Sequence, residues 1–483
     1  MNRFLIIAMS LMFCMFTGCK KKEVFITVEL PDQPDVSLYY SVPISGTNFL
    51  GFRDTLKANE TGIFELKMKI IQPSFIVLWD EKFQNSVKLL VEPDNNYYVS
   101  MGLQKNVQIT GANEKGQMLY TTLPNPDFIE LELRKIGINT FNISDTISSI
   151  YVHQKINELK QSDMSKFREL LNGGEISKSF FDLVQRDRDC YYASMEAKFA
   201  ILKANKQFSN KIKIEDDFLE NLKKIYEQYP PNDEKFIISS FWLEYAELFV
   251  TDYKQDFDFQ KLQNFRKNGT YHTYIINESK KYLSGKAIEF FQAKYIWGEC
   301  FQGSFEKEFI SLFEQFENDY PRSKYSKYIS PYIDKIISYH QIIEKPFDSA
   351  MLFMDNYETI NTLEEAVKPL QGRKIYIDVW ATWCNPCLRE FVHNDALKKI
   401  LAENNIQQLY ISVDRDDYDQ NWKNYIKYYH LTGTHIRANK ELYDNLLKQH
   451  NFIPRYILID EKGNIMEEHA KSPSQLVSGE KLL

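Results

Sequence analysis

Two cysteines two residues apart, in Cys384-Asn385-Pro386-Cys387, are the part of this sequence best suited to chemistry. At the start of a helix, thiols at this spacing can close a disulfide within one turn. The first sulfur then meets the unpaired N–H groups and the positive end of the helix, which favour its thiolate. Cys384 is the expected nucleophile. Cys387, deeper along the helix, is the thiol expected to attack the mixed disulfide and release the product. Pro386 suits the first helical turn because no intrahelical N–H is lost there. A metal clip would need two further ligands, but no second Cys pair accompanies this one and the nearest histidine, His393, lies on the helix itself. A peroxidase would place a lone attacking cysteine in a different local context. The spacing and flanks point to thiol–disulfide exchange, with no metal and no cofactor.

The elements around the pair must hold it. Residues 375–380 (Ile375, Tyr376, Ile377, Asp378, Val379, Trp380) form an apolar, β-rich run of the kind found in a central parallel strand. It leads directly into Ala381-Thr382-Trp383-Cys384. A helix follows, with Leu388, Phe391, Leu397, Ile400 and Leu401 along one side. Residues 409–413 and 453–460 predict two more strands, the last turning at Glu461-Lys462-Gly463-Asn464.

Taken together, residues 380–387 resemble the active site of the thioredoxin superfamily, in its membrane-tethered TlpA/ResA-like branch. The likeness extends from about 351 to the end of the chain. It implies a C-terminal α/β thioredoxin fold over 351–483, in which Ile453-Pro454 occupies the family's cis-proline position. Because cis bonds are almost confined to proline, Pro454 is the candidate; the bland alternative is an ordinary trans proline at a strand start. The resemblance also implies that Trp383, Ile453 and Pro454 border the substrate. It gives Asp378, six residues before Cys384, the role of taking the proton from Cys387. A buried carboxyl with a raised pKa suits that transfer; the alternative is a purely structural strand residue. Between 413 and 454, the stretches around Trp422 and Leu446 predict an added helical insertion, as in that branch. The family's final helix is expected to be short.

The first residues read as an address. Arg3 precedes an apolar run from 4 to 16, which is too short to span a bilayer and about the length of a secretory signal. The run ends in Phe16-Thr17-Gly18-Cys19, which resembles a bacterial lipobox. That resemblance implies a signal peptide over 1–18, cleavage before Cys19 and a lipid on its thiol; the alternative is an uncleaved anchor helix. In an oxidising envelope, a reducing CxxC pair must be recharged by an upstream membrane electron donor.

The rest of the chain is larger than the redox segment. Its 483 residues exceed one compact core. Charged content is 26% and aromatic content 14%, a composition that favours packed structure over disorder. A net charge of −7, with no long basic run beyond residues 20–22, argues against a nucleic-acid partner. From 24 to about 113 the apolar period is two: Val24, Ile26 and Val28 alternate with polar neighbours, as do Phe64, Leu66 and Met68. This predicts a small N-terminal antiparallel β-domain over 19–120. Through Asp54-Thr55-Leu56, Val91-Glu92-Pro93 and Ile109-Thr110-Gly111 it resembles the β-sandwich module often found ahead of thioredoxin domains in Bacteroidetes lipoproteins, which implies an N-terminal antiparallel β-sandwich.

From 121 to 345 the period becomes 3.6, and a central all-α region is expected. The stripes Phe218, Leu222, Ile225 and Phe309, Phe313, Phe316 each stop at a proline, Pro230 and Pro321. Cys190 and Cys300 fall in these helices and read as buried, inert thiols. Two functions remain in view. One is an envelope disulfide reductase or isomerase acting on protein substrates, with cytochrome c maturation as the family's frequent setting. The other is an envelope lipoprotein that binds a partner or glycan, with the redox domain as an accessory.

Overall fold

The computed structural model describes residues 22–31, 36–80, 85–102, 106–124, 129–140, 147–209, 216–303, 305–447 and 452–482. Cys19 and its lipobox-like flank lie outside the described residues. The chain divides into two compact units, one up to Asp334 and one from Lys335 to Leu483.

The first unit opens with eight strands: β1 (Glu23–Glu29), β2 (Leu38–Ser41), β3 (Arg53–Leu56), β4 (Ile63–Lys69), β5 (Ser74–Asp80), β6 (Ser86–Val91), β7 (Asn96–Gly102) and β8 (Asn106–Gly111). They form two four-stranded sheets, ordered β4-β1-β7-β8 and β3-β2-β5-β6. The period-two residues face inward: Val24, Ile26 and Val28 of the first sheet share one core with Leu38, Leu78 and Leu89 of the second. One pairing departs from the antiparallel expectation, because β1 and β7 run parallel. A parallel pair needs a long crossover, and here the intervening chain builds the entire second sheet before returning.

Among the described residues, eleven α-helices follow: α1 (Glu114–Thr121), α2 (Ile129–Lys135), α3 (Ser149–Asn172), α4 (Lys178–Ser209), α5 (Asp216–Gln228), α6 (Trp242–Thr251), α7 (Phe259–Lys267), α8 (Tyr271–Tyr282), α9 (Gly285–Phe301), α10 (Glu308–Asp319) and α11 (Ser326–Ile343). α5 and α10 end just short of Pro230 and Pro321, as their stripes predict.

Strands and helices share this unit because β5 and β6 are buried on both faces. Ile76 and Leu89 point into the inter-sheet core, while Phe75 and Leu90 join Tyr120, Phe167 and Phe180 in a second cluster against helices. A buried polar lock reinforces the seam. Lys88 of β6 lies 3.1 Å from Asp187 of α4. Asp187 also receives Arg188 at 2.7 Å, the Tyr120 hydroxyl at 2.6 Å and the Ser239 hydroxyl at 2.8 Å.

The boundary between the two units falls inside α11, between Asp334 and Lys335. The C-terminal half of that helix carries Tyr339, whose ring lies 5.3 Å from that of Tyr428, and the Lys427 ammonium donates to the Ile343 carbonyl at 2.8 Å.

The second unit contains β9 (Met351–Phe353), α12 (Leu363–Val367), β10 (Lys374–Trp380), α13 (Asn385–Glu390), α14 (Asn394–Glu403), β11 (Ile406–Ser412), α15 (Asp419–Tyr428), β12 (Gly433–Arg437), α16 (Lys440–Leu447), β13 (Arg455–Ile459), β14 (Ile465–Glu467) and α17 (Pro473–Val477). Its sheet is ordered β14-β13-β10-β11-β12-β9. β10 sits at the centre, parallel to β11 and antiparallel to β13, and is buried along nearly its whole length. The predicted helical insertion is present as α15 and α16. Between them the structure adds β12, which the sequence reading did not include. The closing helix α17 has 5 residues, held by a Ser472–Gln475 capping box and the buried Leu476. No described helix is long and apolar enough to cross a membrane.

Candidate active site

β10 delivers its C-terminal end to the redox pair. After Trp380 the chain turns, with the Cys384 N–H donating to the Ala381 carbonyl at 3.1 Å, and α13 begins. Cys384 is the N-cap of α13 and Pro386 lies in the first turn. The Cys384 sulfur accepts the Cys387 N–H at 3.2 Å, one of the helix-start donors that would otherwise have no partner. The two sulfurs are joined as a disulfide, with the Cα atoms 5.3 Å apart.

The surroundings are asymmetric. Cys384 and Cys387 are 4% and 1% exposed, whereas the neighbouring Trp383 is 59% exposed. The pair is thus reached beside a solvent-facing aromatic. Behind it, Phe391 wedges the helix against the sheet, its ring 5.0 Å from Trp380 and 5.2 Å from Tyr429.

The Ile453–Pro454 peptide is cis, as the motif predicts. Arg455 opens β13 opposite Val379, so strand register places Pro454 at the end of β10 that leads to Cys384. Ile453 packs on the cluster that contains both cysteines. Arg455 fixes this start of β13 by donating to the Leu446 carbonyl at 2.6 Å.

Asp378 lies in the middle of β10, 1% exposed, between Tyr410 and Tyr456 on the flanking strands. Its Oδ1 has no hydrogen-bond partner in the protein. Burial pushes its carboxyl well above the usual carboxylate range, and the nearby Glu390 charge adds to the push. Glu390 is itself engaged, accepting the Ser474 N–H and hydroxyl at 2.9 Å each, which ties α13 to α17.

One group escaped the sequence reading. Asp414, 2% exposed just past β11, accepts the Thr382 N–H at 2.9 Å, the Thr382 hydroxyl at 2.8 Å and the Ser412 hydroxyl at 2.8 Å. It thereby anchors the turn two residues before Cys384. The signal available was an acid placed directly after the apolar run 409–413.

The remaining cysteines behave differently. Cys190 and Cys300 are buried free thiols in helices. Burial pushes the Cys300 thiol up to about 12 and that of Cys190 further still.

Comparison with known proteins agrees with this geometry. Residues 358–480 match the Redoxin family. The thiol-disulfide oxidoreductase ResA of Bacillus thuringiensis is 28% identical over 104 residues, which cover 21% of this chain and 57% of that protein. The chain thus spans little more than half the length of this curated relative. Among solved structures, a candidate thiol-disulfide oxidoreductase from Bacteroides vulgatus is 33% identical, over 24% of this chain and 75% of that one, with a TM-score of 0.22. StoA from Bacillus subtilis is 23% identical, over 23% of this chain and 84% of its own, with a TM-score of 0.20. The C-terminal unit thus carries a Redoxin-family domain of thioredoxin-like type, similar to the ResA thiol-disulfide oxidoreductases.

Proposed function

We propose that this protein is a cell-envelope thiol–disulfide oxidoreductase that reduces or isomerises disulfides in protein substrates. The reading rests above all on the Cys384–Cys387 pair capping α13, beside the exposed Trp383 and the cis Ile453–Pro454 peptide. In the dithiol form the Cys384 thiolate, held by the Cys387 N–H, attacks one sulfur of a substrate disulfide. That bond breaks, the released sulfur takes a proton, and a mixed disulfide remains. Cys387 gives its proton to the ionised Asp378 and attacks the Cys384 sulfur; the Cys384–substrate bond breaks, and the second substrate sulfur leaves as a thiolate that takes a proton from solvent. Two electrons pass to the substrate, and the protein is left with the disulfide described above. An upstream membrane dithiol donor would return them.

On this reading, residues 1–18 are a signal peptide, Cys19 carries the lipid, residues 19–120 form a sandwich module and 121–345 a helical region, and the redox domain (351–483) faces the periplasm. Cytochrome c maturation is a fitting setting, since reduced haem-attachment cysteines are a demand a reducing CxxC protein can meet.

The test is trapping in cells. Cys387→Ser should accumulate mixed disulfides with substrate and Cys384→Ser should be inert. Complexes forming only on Cys384→Ser would reverse the two roles, and full exchange activity in both variants would remove the assignment. Separately, Cys19→Ala should abolish membrane retention while disulfide exchange survives.

A further inference from the structure

Away from the redox pair, three donors of two chemical kinds converge at the start of α10. One donor atom from each of His272, Glu306 and Glu308 lies within 4.8 Å of the other two. His272 belongs to α8 and is 8% exposed, Glu308 opens α10, and Glu306 lies on the solvent side in the segment before it. The His272 Nε2 and a Glu306 carboxylate oxygen are 3.4 Å apart. That is long for a hydrogen bond. It matches the edge of a tetrahedral first-row site, where donors about 2.0–2.1 Å from the ion stand roughly 3.3 Å from one another.

Two further observations point the same way. Glu308 uses its Oε1 to accept the Thr273 N–H at 2.7 Å, while its Oε2 is buried with no hydrogen-bond partner in the protein. A buried carboxylate oxygen left without a donor is costly unless a cation or water fills the place. On the far side of the imidazole, the Tyr295 hydroxyl sits 2.9 Å from His272 Nδ1. With Nδ1–H donating to that hydroxyl, Nε2 is left as a lone-pair donor, an arrangement typical of ligating histidines.

We propose that His272, Glu306 and Glu308 bind a first-row divalent transition ion of the zinc type. The ion clips the start of α8 to the start of α10, with Tyr295 as the positioning residue behind the histidine. One imidazole with two carboxylates suits such ions and leaves a fourth position to solvent on the Glu306 side. Mg2+ fits poorly, since it prefers octahedral oxygen shells.

Zn2+ titrated calorimetrically into the full chain, with the Cys384–Cys387 disulfide closed, should reveal one site. His272→Ala should remove it and Glu308→Gln should weaken it at least about tenfold. Tyr295→Phe should weaken it about tenfold, the usual size of an outer-shell loss. Zn2+ should raise the Tm of the wild type but not that of Glu308→Gln, and Mg2+ should raise neither. Should His272→Ala fail to fold, Glu308→Gln, which keeps the side chain's size and the Thr273 bond, decides alone. Equal Zn2+ affinity in the wild type and Glu308→Gln would overturn the proposal, as would a Mg2+ stabilisation matching that of Zn2+.

Discussion

Asp187 and Asp378 are both fully buried, one in each unit, and their carboxyls are driven in opposite directions. At Asp187 burial opposes the charge, but Lys88, Arg188 and the Tyr120 hydroxyl outweigh it and hold the acid well below the usual carboxylate range. At Asp378 burial acts with no cation to answer it, and one oxygen is left unpartnered. Equal burial thus produces a structural ion in one place and a proton-carrying acid in the other. The partners decide which.

The largest effect expected from breaking this contrast is on stability. Asp187→Ala should leave Lys88 and Arg188 as uncompensated buried charges and cost the first unit about 3–5 kcal/mol. Denaturant unfolding of the full chain would measure this. The second unit's transition, identified because reduction of the disulfide shifts it, should stay in place.

Asp378→Asn should do the reverse. Resolution by Cys387 should slow by on the order of 10²-fold, within the usual range for a lost general base and equivalent to about 2.7 kcal/mol of barrier. Initial attack by Cys384 should change less, and stopped-flow reduction of a model disulfide separates the two steps. In the wild type the resolution rate should rise with pH as Asp378 ionises, and in the variant that rise should vanish.

The same substitution has a defined stability sign. A carboxyl whose folded pKa is raised is favoured at low pH and progressively penalised as pH climbs past its unfolded value, about 3.9. The wild-type second unit should therefore lose Tm relative to Asp378→Asn as pH rises above about 4. Melts of both proteins across that range would show whether the gap widens.

The smallest effect belongs to the anchor of the turn. Thr382→Val removes one hydroxyl bond to Asp414 and should cost about 1 kcal/mol of second-unit stability. Exchange activity should fall only a fewfold, because the Thr382 N–H still reaches Asp414 at 2.9 Å.

What could be read from the sequence follows the range of the interactions. The Cys384–Cys387 pair, the cis Pro454, the β10 run and the proline stops after α5 and α10 are local patterns, and local patterns show in a single chain. β12 is short and lacks alternation, with two half-buried residues ahead of His435 and Ile436, so no period announced it. The Asp414–Thr382 bonds and the His272–Glu306–Glu308 group join residues 32 and 34–36 positions apart. Periodicity carries no information about such pairs. The parallel β1–β7 pairing failed for the same reason: alternation says which face is buried, not which strand comes alongside.

That pairing also sets a timetable. β1 is the earliest described strand, yet it sits between β4 and β7 inside its sheet. Its second neighbour begins at Asn96. At bacterial synthesis rates of about 5–20 residues per second, β1 emerges several seconds before β7 exists to cover it. Throughout that interval Val24, Ile26 and Val28 form an apolar ribbon with an open edge, the kind of segment that other chains add to. A holdase acting on this nascent chain would find a client stretch at residues 23–29, and should be able to let go of it once residue 102 has cleared the exit.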